Sequence, residues 1–292
     1  MPLVTVAEAA ALLRAGRVVG IPTETVYGLA ANACDPAAVG EIFRLKGRPA
    51  GHPLILHARD PRPWAVFSPR AERLAALWPA PLTLVLPSRG TAAAEVTGGH
   101  ATLAVRCPDH PVALALLDAA RVPLAAPSAN RFGGVSPTTA AHVLASFPEL
   151  PVVDGGPCLV GVESTIVDLS RARAAILRPG AIDADAVELA LGEPLGDAEG
   201  TAAPGTLASH YAPRARVVLV QHAAEPAAAL RAAGGRVAVI ARRPTSLHAR
   251  ALYAELRAAD EAGAEVILCE LAEEDGLGLA INDRLRRAAA PA

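Results

Sequence analysis

The chain has 292 residues, 52 % of them apolar, and a formal net charge of −2, enough for about two domains of ~150 residues each with a core that folds unaided. Aromatic residues make up 3 % of the chain and no run of like charges stands out, which argues against a large basic footprint for nucleic acid and against a base-stacking RNA platform. Cys34, Cys107, Cys158 and Cys269 lie far apart with no Cys-x-x-Cys pair, which excludes an obvious disulfide framework or zinc knuckle and reads as reduced cytosolic thiols.

Thr5-x-x-Glu8 has the form of a capping box opening a first helix that runs to Gly16. No apolar run approaches the ~18 to 20 residues that cross a bilayer, so a soluble, cytoplasmic protein is expected. Short apolar runs then read as strands at Val18 to Ile21, Pro53 to His57, Leu82 to Leu86, Thr102 to Arg106, Val122 to Ala126, Val152 to Asp154, Ser164 to Leu169 and Ala174 to Leu177. Between them, helices are signalled by Asp35-Pro36, by Asp109 with Pro111, by Ser136-Pro137 and by Asp183 with Asp185. This is an α/β pattern with irregular, proline-rich crossovers, and it predicts a twisted mixed sheet over residues 1–195. Gly, Asp, Ala, Thr and Pro dominate residues 196–214 and mark a linker. Beyond it, strands at Arg216 to Val220, Arg236 to Ile240 and Glu265 to Glu270, with three helical segments, predict a small Rossmann-like unit over residues 215–292.

Absences narrow the chemistry. There is no Gly-x-x-x-x-Gly-Lys-Ser/Thr loop, no Gly-x-Gly-x-x-Gly after a strand, no Gly-x-Ser-x-Gly elbow and no His-Glu-x-x-His. What the chain does have is polar groups at strand exits, where α/β proteins place ligands. Pro22 stops the first strand, and Thr23, Thr25 and Tyr27 follow it. Lys46 and Arg48 emerge where the second helix runs out at Gly47, and His52 and His57 bracket the next strand. Lys46 also suits the simpler task of complementing a helix C-terminus. On Thr102-Leu-Ala-Val-Arg106 the period of two puts Thr102 and Arg106 on one face. Arg106 suits bidentate capture of a carboxylate or phosphate, the alternative being an ion pair with Asp109. Ala126 leads into Pro127-Ser128-Ala-Asn130, and Ser136 heads an expected helix, either as an anion site or as a simple N-cap. Gly161-Val-Glu-Ser-Thr165 and Leu177-Arg-Pro-Gly180 add Ser164 and Arg178.

In this order, PTETVYGL, KGRPxxHPLxxH, AVRxPDHP, APSAN with SPT, GVEST and LRPG resemble the motif series of the YrdC-type threonylcarbamoyl-AMP synthases over about 160 residues. Ser209-His-Tyr-Ala-Pro213 is similar to the connector of the longer, two-domain members, and Glu273 to Arg284 resembles the end of their C-terminal domain. The resemblance implies condensation of L-threonine, bicarbonate and ATP to threonylcarbamoyl-AMP and pyrophosphate, for modification of the adenosine beside the anticodon. Carried over motif by motif, it implies Lys46 and Arg48 as the catalytic cations. It places ATP against Arg48, His52, Thr102, Ser128, Ser136, Arg178 and Tyr211. It places L-threonine against Thr25, His57, Arg106, Ala126 and Ser164. It implies Mg-ATP as a substrate with no tightly bound cofactor and no dedicated metal cage, and a connector that lies over the site. The product would pass to a separate tRNA threonylcarbamoyl transferase, with at most weak or transient contact between this chain and tRNA. Competing expectations are a carbamoyl-adenylate-forming domain and an RNA-binding module.

Overall fold

Sequence-local signals set the first elements. Thr5 accepts from the Glu8 backbone and Glu8 returns a bond to Thr5, and this capping box opens α1 (Val6–Arg14). Asp35 caps α2 (Pro36–Lys46), which Gly47 ends in the left-handed region at φ 64°. The computed structural model describes residues 2–49, 51–198, 205 and 209–291. The remaining elements of the first unit are β1 (Val19–Ile21), β2 (Gly28–Asn32), β3 (Ile55–His57), α3 (Pro69–Ala75), β4 (Leu82–Pro87), α4 (Ala94–Thr97), β5 (Thr102–Arg106), α5 (Pro111–Ala120), β6 (Leu124–Ala125), α6 (Ala140–Ser146), β7 (Thr165–Asp168), β8 (Ala175–Arg178) and α7 (Ala184–Leu191).

The eight strands form one curled mixed sheet in the order β1-β2-β6-β3-β5-β4-β7-β8. The β3/β5 and β4/β7 pairs are parallel, and the other neighbours are antiparallel. The period of two divides the central strands cleanly. Leu56, Leu103, Val105, Leu82, Leu84 and Leu86 enter the main core. Ile55, Ala104, Val85 and Ile166 form a small apolar patch on the opposite face. Next to that patch, on the same alternation, His57 and Arg106 stand opposite each other in the β3/β5 register. A third cluster, of α1 and α5 residues such as Leu13 and Leu116, covers the β1-β2-β6 end.

The second unit comprises β9 (Arg216–Val220), α8 (Ala224–Ala232), β10 (Val237–Ile240), α9 (Thr245–Glu261), β11 (Val266–Glu270) and α10 (Gly276–Ala289). Its sheet is wholly parallel, with the last strand central in the order β10-β11-β9. Residues of α9 and α10 pack on one face of it, and Ala227 of α8 packs on the other. The α9/α10 core also takes in Val26, Val135 and Val162 from the first unit, and Tyr211 from the connector.

The departures from expectation have physical reasons. Ser136-Pro137 does not open a helix: α6 starts at Ala140 with Thr139 as its cap, because the Ser136 hydroxyl is engaged elsewhere. The α5 cap is His110, whose ring accepts from Val112 N, and not Asp109. The stretch expected as a strand at Val152 to Asp154 makes only isolated bridges from Val152 to Leu3 and Gly20. β2 escaped notice because Gly-Leu-Ala-Ala-Asn carries no strand formers and no alternation, being buried on both faces.

Candidate active site

The floor of the site comes from β3, β5 and the exit of β6. Ala126 N donates to Ile55 O at 3.1 Å and closes the gap beside His57. His57 is buried, and burial, followed by the Arg106 charge, pulls its imidazole down to about 3, so it is neutral at physiological pH. Arg106 pairs with Glu24 Oε1 at 2.5 Å and donates from Nη1 to Thr25 Oγ1 at 3.0 Å. Asp109 is not its partner. The Thr23 hydroxyl fixes the turn that presents these groups: it donates to Val26 O at 2.6 Å and accepts from Thr25 N and Val26 N. Among the described residues, His57 Nδ1 and Arg106 Nε are buried without a hydrogen-bond partner, as expected of groups that await a ligand.

The walls carry two more guanidiniums. Arg48 follows the Gly47 cap, donates to Pro53 O at 3.0 Å and lies 5.7 Å from the centre of the Phe132 ring. Its burial lowers its pKa to about 10. Arg178, at the end of β8, donates to Ser164 O and Ser164 Oγ, both at 3.1 Å. The Ser164 hydroxyl in turn lies 2.8 Å from Thr83 Oγ1.

The roof is built by the connector and the second unit. Tyr211 sits at φ 62°, fully buried, with its ring stacked on Tyr253 at 5.8 Å and 28°. Gly205 closes against it so tightly that a Cβ there would lie 2.4 Å from the Tyr211 hydroxyl and 2.8 Å from Arg178 Nη1. His210 packs edge-on to Tyr211 and Phe132, and burial holds it down at about 3. Behind Tyr211, the buried Glu163 carboxylate accepts from Ser136 Oγ at 2.6 Å, Tyr253 Oη at 2.8 Å and Arg284 Nε at 2.9 Å. Burial alone would raise this carboxyl, but the Arg284 and Arg178 charges and the Ser136 bond outweigh it and hold it at about 2.

One cavity of about 50 Å³ is lined by Thr25, Arg48, His57, Arg106, Ala126, Ser128, Ser164, Arg178 and Tyr211 among the residues singled out from the sequence. Four others lie off its wall. Lys46 is buried, with Nζ donating to Ser128 O at 2.5 Å and Asn130 O at 2.7 Å, so it ties α2 to the loop after β6. His52 is half-buried and edges Phe132. Thr102 shares a face with Arg106 but stands four residues away, ~13 Å along the strand. Ser136 is buried on Glu163. Thr23, Glu163 and His210 also line the cavity, each from a stretch singled out in the sequence but with no ligand assigned to it, and Tyr253 and Arg284 lie behind them. Arg284 ends the Glu273 to Arg284 stretch that resembles the family's C-terminal domain, and the local mark of its role is a charge on the apolar side of α10, where it is 1 % exposed. The described residues hold no group of His, Cys, Asp or Glu suited to a metal ion, and no helix among them is long and apolar enough to cross a membrane.

A curled mixed sheet whose inner face gathers three guanidiniums, hydroxyls and a neutral imidazole defines an α/β enzyme for anionic small molecules, of the YrdC-like class. Residues 11–180 match the family described as "Telomere recombination" (Sua5/YciO/YrdC), and residues 172–290 match "Threonylcarbamoyl-AMP synthase, C-terminal domain". The chain is 41 % identical over 314 residues to the threonylcarbamoyl-AMP synthase of Pyrococcus abyssi, covering 96 % of this chain and 92 % of that one. It is 38 % identical to the Bacillus subtilis threonylcarbamoyl-AMP synthase, covering 97 % and 92 %. The crystal structure of P. abyssi Sua5 complexed with L-threonine superposes with a TM-score of 0.92 at 40 % identity, covering 97 % of this chain and 94 % of that one. The chain belongs to the threonylcarbamoyl-AMP synthase family, whose members are nucleotidyltransferases.

Proposed function

We propose that this chain condenses L-threonine, bicarbonate and ATP into threonylcarbamoyl-AMP and pyrophosphate in the cavity between the first unit and the connector. The observation that carries the reading is the meeting of His57, Arg106, Thr25 and Ser164 in one buried pocket, in a fold shared with a relative solved with L-threonine. The threonine amine attacks bicarbonate, a C–N bond forms and water leaves. A carboxylate oxygen of the resulting carbamate then attacks the α-phosphorus, and the bond to the β-phosphate oxygen breaks as pyrophosphate departs. This chemistry asks for positioning and charge neutralisation more than for a dedicated base.

In this reading Arg106, through its unpartnered Nε, and Thr25 hold the substrate carboxylate, while neutral His57, Ala126 and Ser164 enclose the side chain. Arg48, Arg178, Ser128 and Tyr211 face the nucleotide, and magnesium arrives with it. The resemblance also assigns His52, Thr102 and Ser136 to the nucleotide; all three lie off the cavity wall, and Ser136 acts there through Glu163. Lys46 holds the Ser128 and Asn130 carbonyls and so fixes the loop that carries Ser128. The connector contributes Gly205, His210 and Tyr211 to the cavity lining, and in this reading it acts as a lid. It opens for the nucleotide and then shields the adenylate from water. Residues 199–204 and 206–208 of that segment fall outside the described residues. The adenylate passes to a separate tRNA-modifying transferase.

The test is to incubate the chain with Mg-ATP, bicarbonate and L-threonine, omitting each in turn, and to follow pyrophosphate and the product mass. Threonylcarbamoyl-AMP that requires all three substrates supports the reading. Pyrophosphate release without threonine would replace it with a carbamoyl-adenylate activity.

A further inference from the structure

Glu163 lines the same cavity as Arg48 and Arg178, and an anionic substrate entering there would meet a carboxylate. In the folded chain that carboxylate is saturated. Ser136 occupies Oε1, while Tyr253 and Arg284 share Oε2. Arg284 also reaches the Glu163 carbonyl from Nη2 at 3.3 Å, and its guanidinium lies 5.5 Å from the centre of the Tyr211 ring. Its Nη1 donates to Asp283 at 2.8 Å, so it is bound on every edge and does not reach into the cavity. Two residues of the second unit therefore complete a wall of the first.

We propose that Arg284 is a positioning residue for the nucleotide: it neutralises Glu163 from behind, so that the cavity presents its guanidiniums, and not a bare carboxylate, to the phosphates of Mg-ATP. The inference rests on the reading of this cavity as an ATP site. It assigns the second unit an electrostatic task in the site besides covering it. Without the Arg284 charge, Glu163 would repel the phosphates and draw on the cations meant for them, in a buried setting where screening is weak. The threonine end, with its own Glu24–Arg106 pair, would be little affected.

The test is a double-mutant cycle on the full chain, using calorimetry with Mg-ATP and initial rates with varied ATP or threonine. R284Q should weaken Mg-ATP binding at least tenfold and raise the KM for ATP in step, with the KM for threonine changed less than threefold. In the E163Q background, the same R284Q change should cost less than threefold, because no charge is left to neutralise. Arg284→Lys keeps the charge but not the fork, and should lose clearly less Mg-ATP affinity than R284Q, which preserves the test if R284Q melts too low to measure. Equal losses from R284Q in both backgrounds, equal losses for ATP and threonine, or a folded R284K that loses as much as R284Q would each overturn the proposal. A chain that binds Mg-ATP but makes no threonylcarbamoyl-AMP would sink the proposed function while leaving this cycle measurable.

Discussion

The two ends of the cavity are built by different means. The end assigned to threonine rests on β3 and β5, where His57 and Arg106 face each other in register and a hydroxyl-locked turn supplies Thr25. The end assigned to the nucleotide is a roof assembled from distant segments: Arg48 after α2, Tyr211 from the connector, and Glu163 held by side chains of α9 and α10. A strand-built end holds its geometry as long as the sheet does. A roof of docked segments can open, and so can gate the entry of a substrate.

The sharpest way to break this contrast is to damage the strand-built end alone. Arg106→Ala removes the partner of buried Glu24 and the donor to Thr25. It should lower kcat/KM for threonine at least a hundredfold, about 3 kcal/mol, while calorimetry shows Mg-ATP affinity changed less than threefold. Arg106→Lys should recover little of the loss, because an ammonium cannot serve Glu24, Thr25 and a ligand in the same plane. Equal losses for both ligands would mean that the two ends are one site and that the contrast is false.

A smaller effect comes from pH, and it touches both ends through one histidine each. His57 and His210 are held at about 3, against ~6.5 in an unfolded chain. A depressed histidine binds more protons unfolded than folded below pH 6.5. Stability is therefore unaffected above that pH and falls as pH drops through the window from 6.5 to 3. At pH 5.5 each should cost about 1.4 kcal/mol. His110, His142 and His248 shift in the same direction and add to the fall. Glu163, held at about 2, loses its stabilising contribution only below about pH 4.5, so the upper part belongs to the histidines and to Lys46, whose pKa burial also lowers. Urea unfolding at pH 7.5 and 5.5 should show the loss, and His57→Gln should reduce it. A flat profile would mean that neither ring is buried in solution.

The same contrast explains what could be read from the sequence. The strand-built end was legible: Thr102 to Arg106 was placed as β5 with its observed bounds, and His57 at the end of β3, because alternation and local polar groups are carried by adjacent residues. The roof was legible only where a motif marked it, as at Tyr211 and Arg178. Ser136 was read as the head of a helix because Ser-Pro is a common helix opening. Its hydroxyl instead serves Glu163, 27 residues on, and local pattern holds no record of such a partner. Tyr253 and Arg284 lie 90 and 121 residues from Glu163. On their own helices they follow the apolar face, and although Arg284 ends a stretch that resembles the family's C-terminal domain, no local pattern names Glu163 as its partner until the two units are docked.

The smallest predicted effect tests whether the roof works by shape or by hydrogen bonding. The Tyr211 ring is held from three sides, by Tyr253, His210 and the Arg284 guanidinium. Its hydroxyl has no hydrogen-bond partner among the described residues. If the ring is what closes the cavity, Tyr211→Phe keeps every one of those contacts and removes only an oxygen, so the KM for ATP should change less than twofold. Tyr211→Ala deletes a buried aromatic, a loss of about 3 kcal/mol or more in cavity and packing. It should raise the KM for ATP about tenfold and release more free adenylate per pyrophosphate formed. Measured side by side, the two substitutions separate a ring that covers the nucleotide from a phenol that binds it. A Phe variant as impaired as the Ala variant would make the hydroxyl a direct ligand and turn the roof from a cover into part of the binding site.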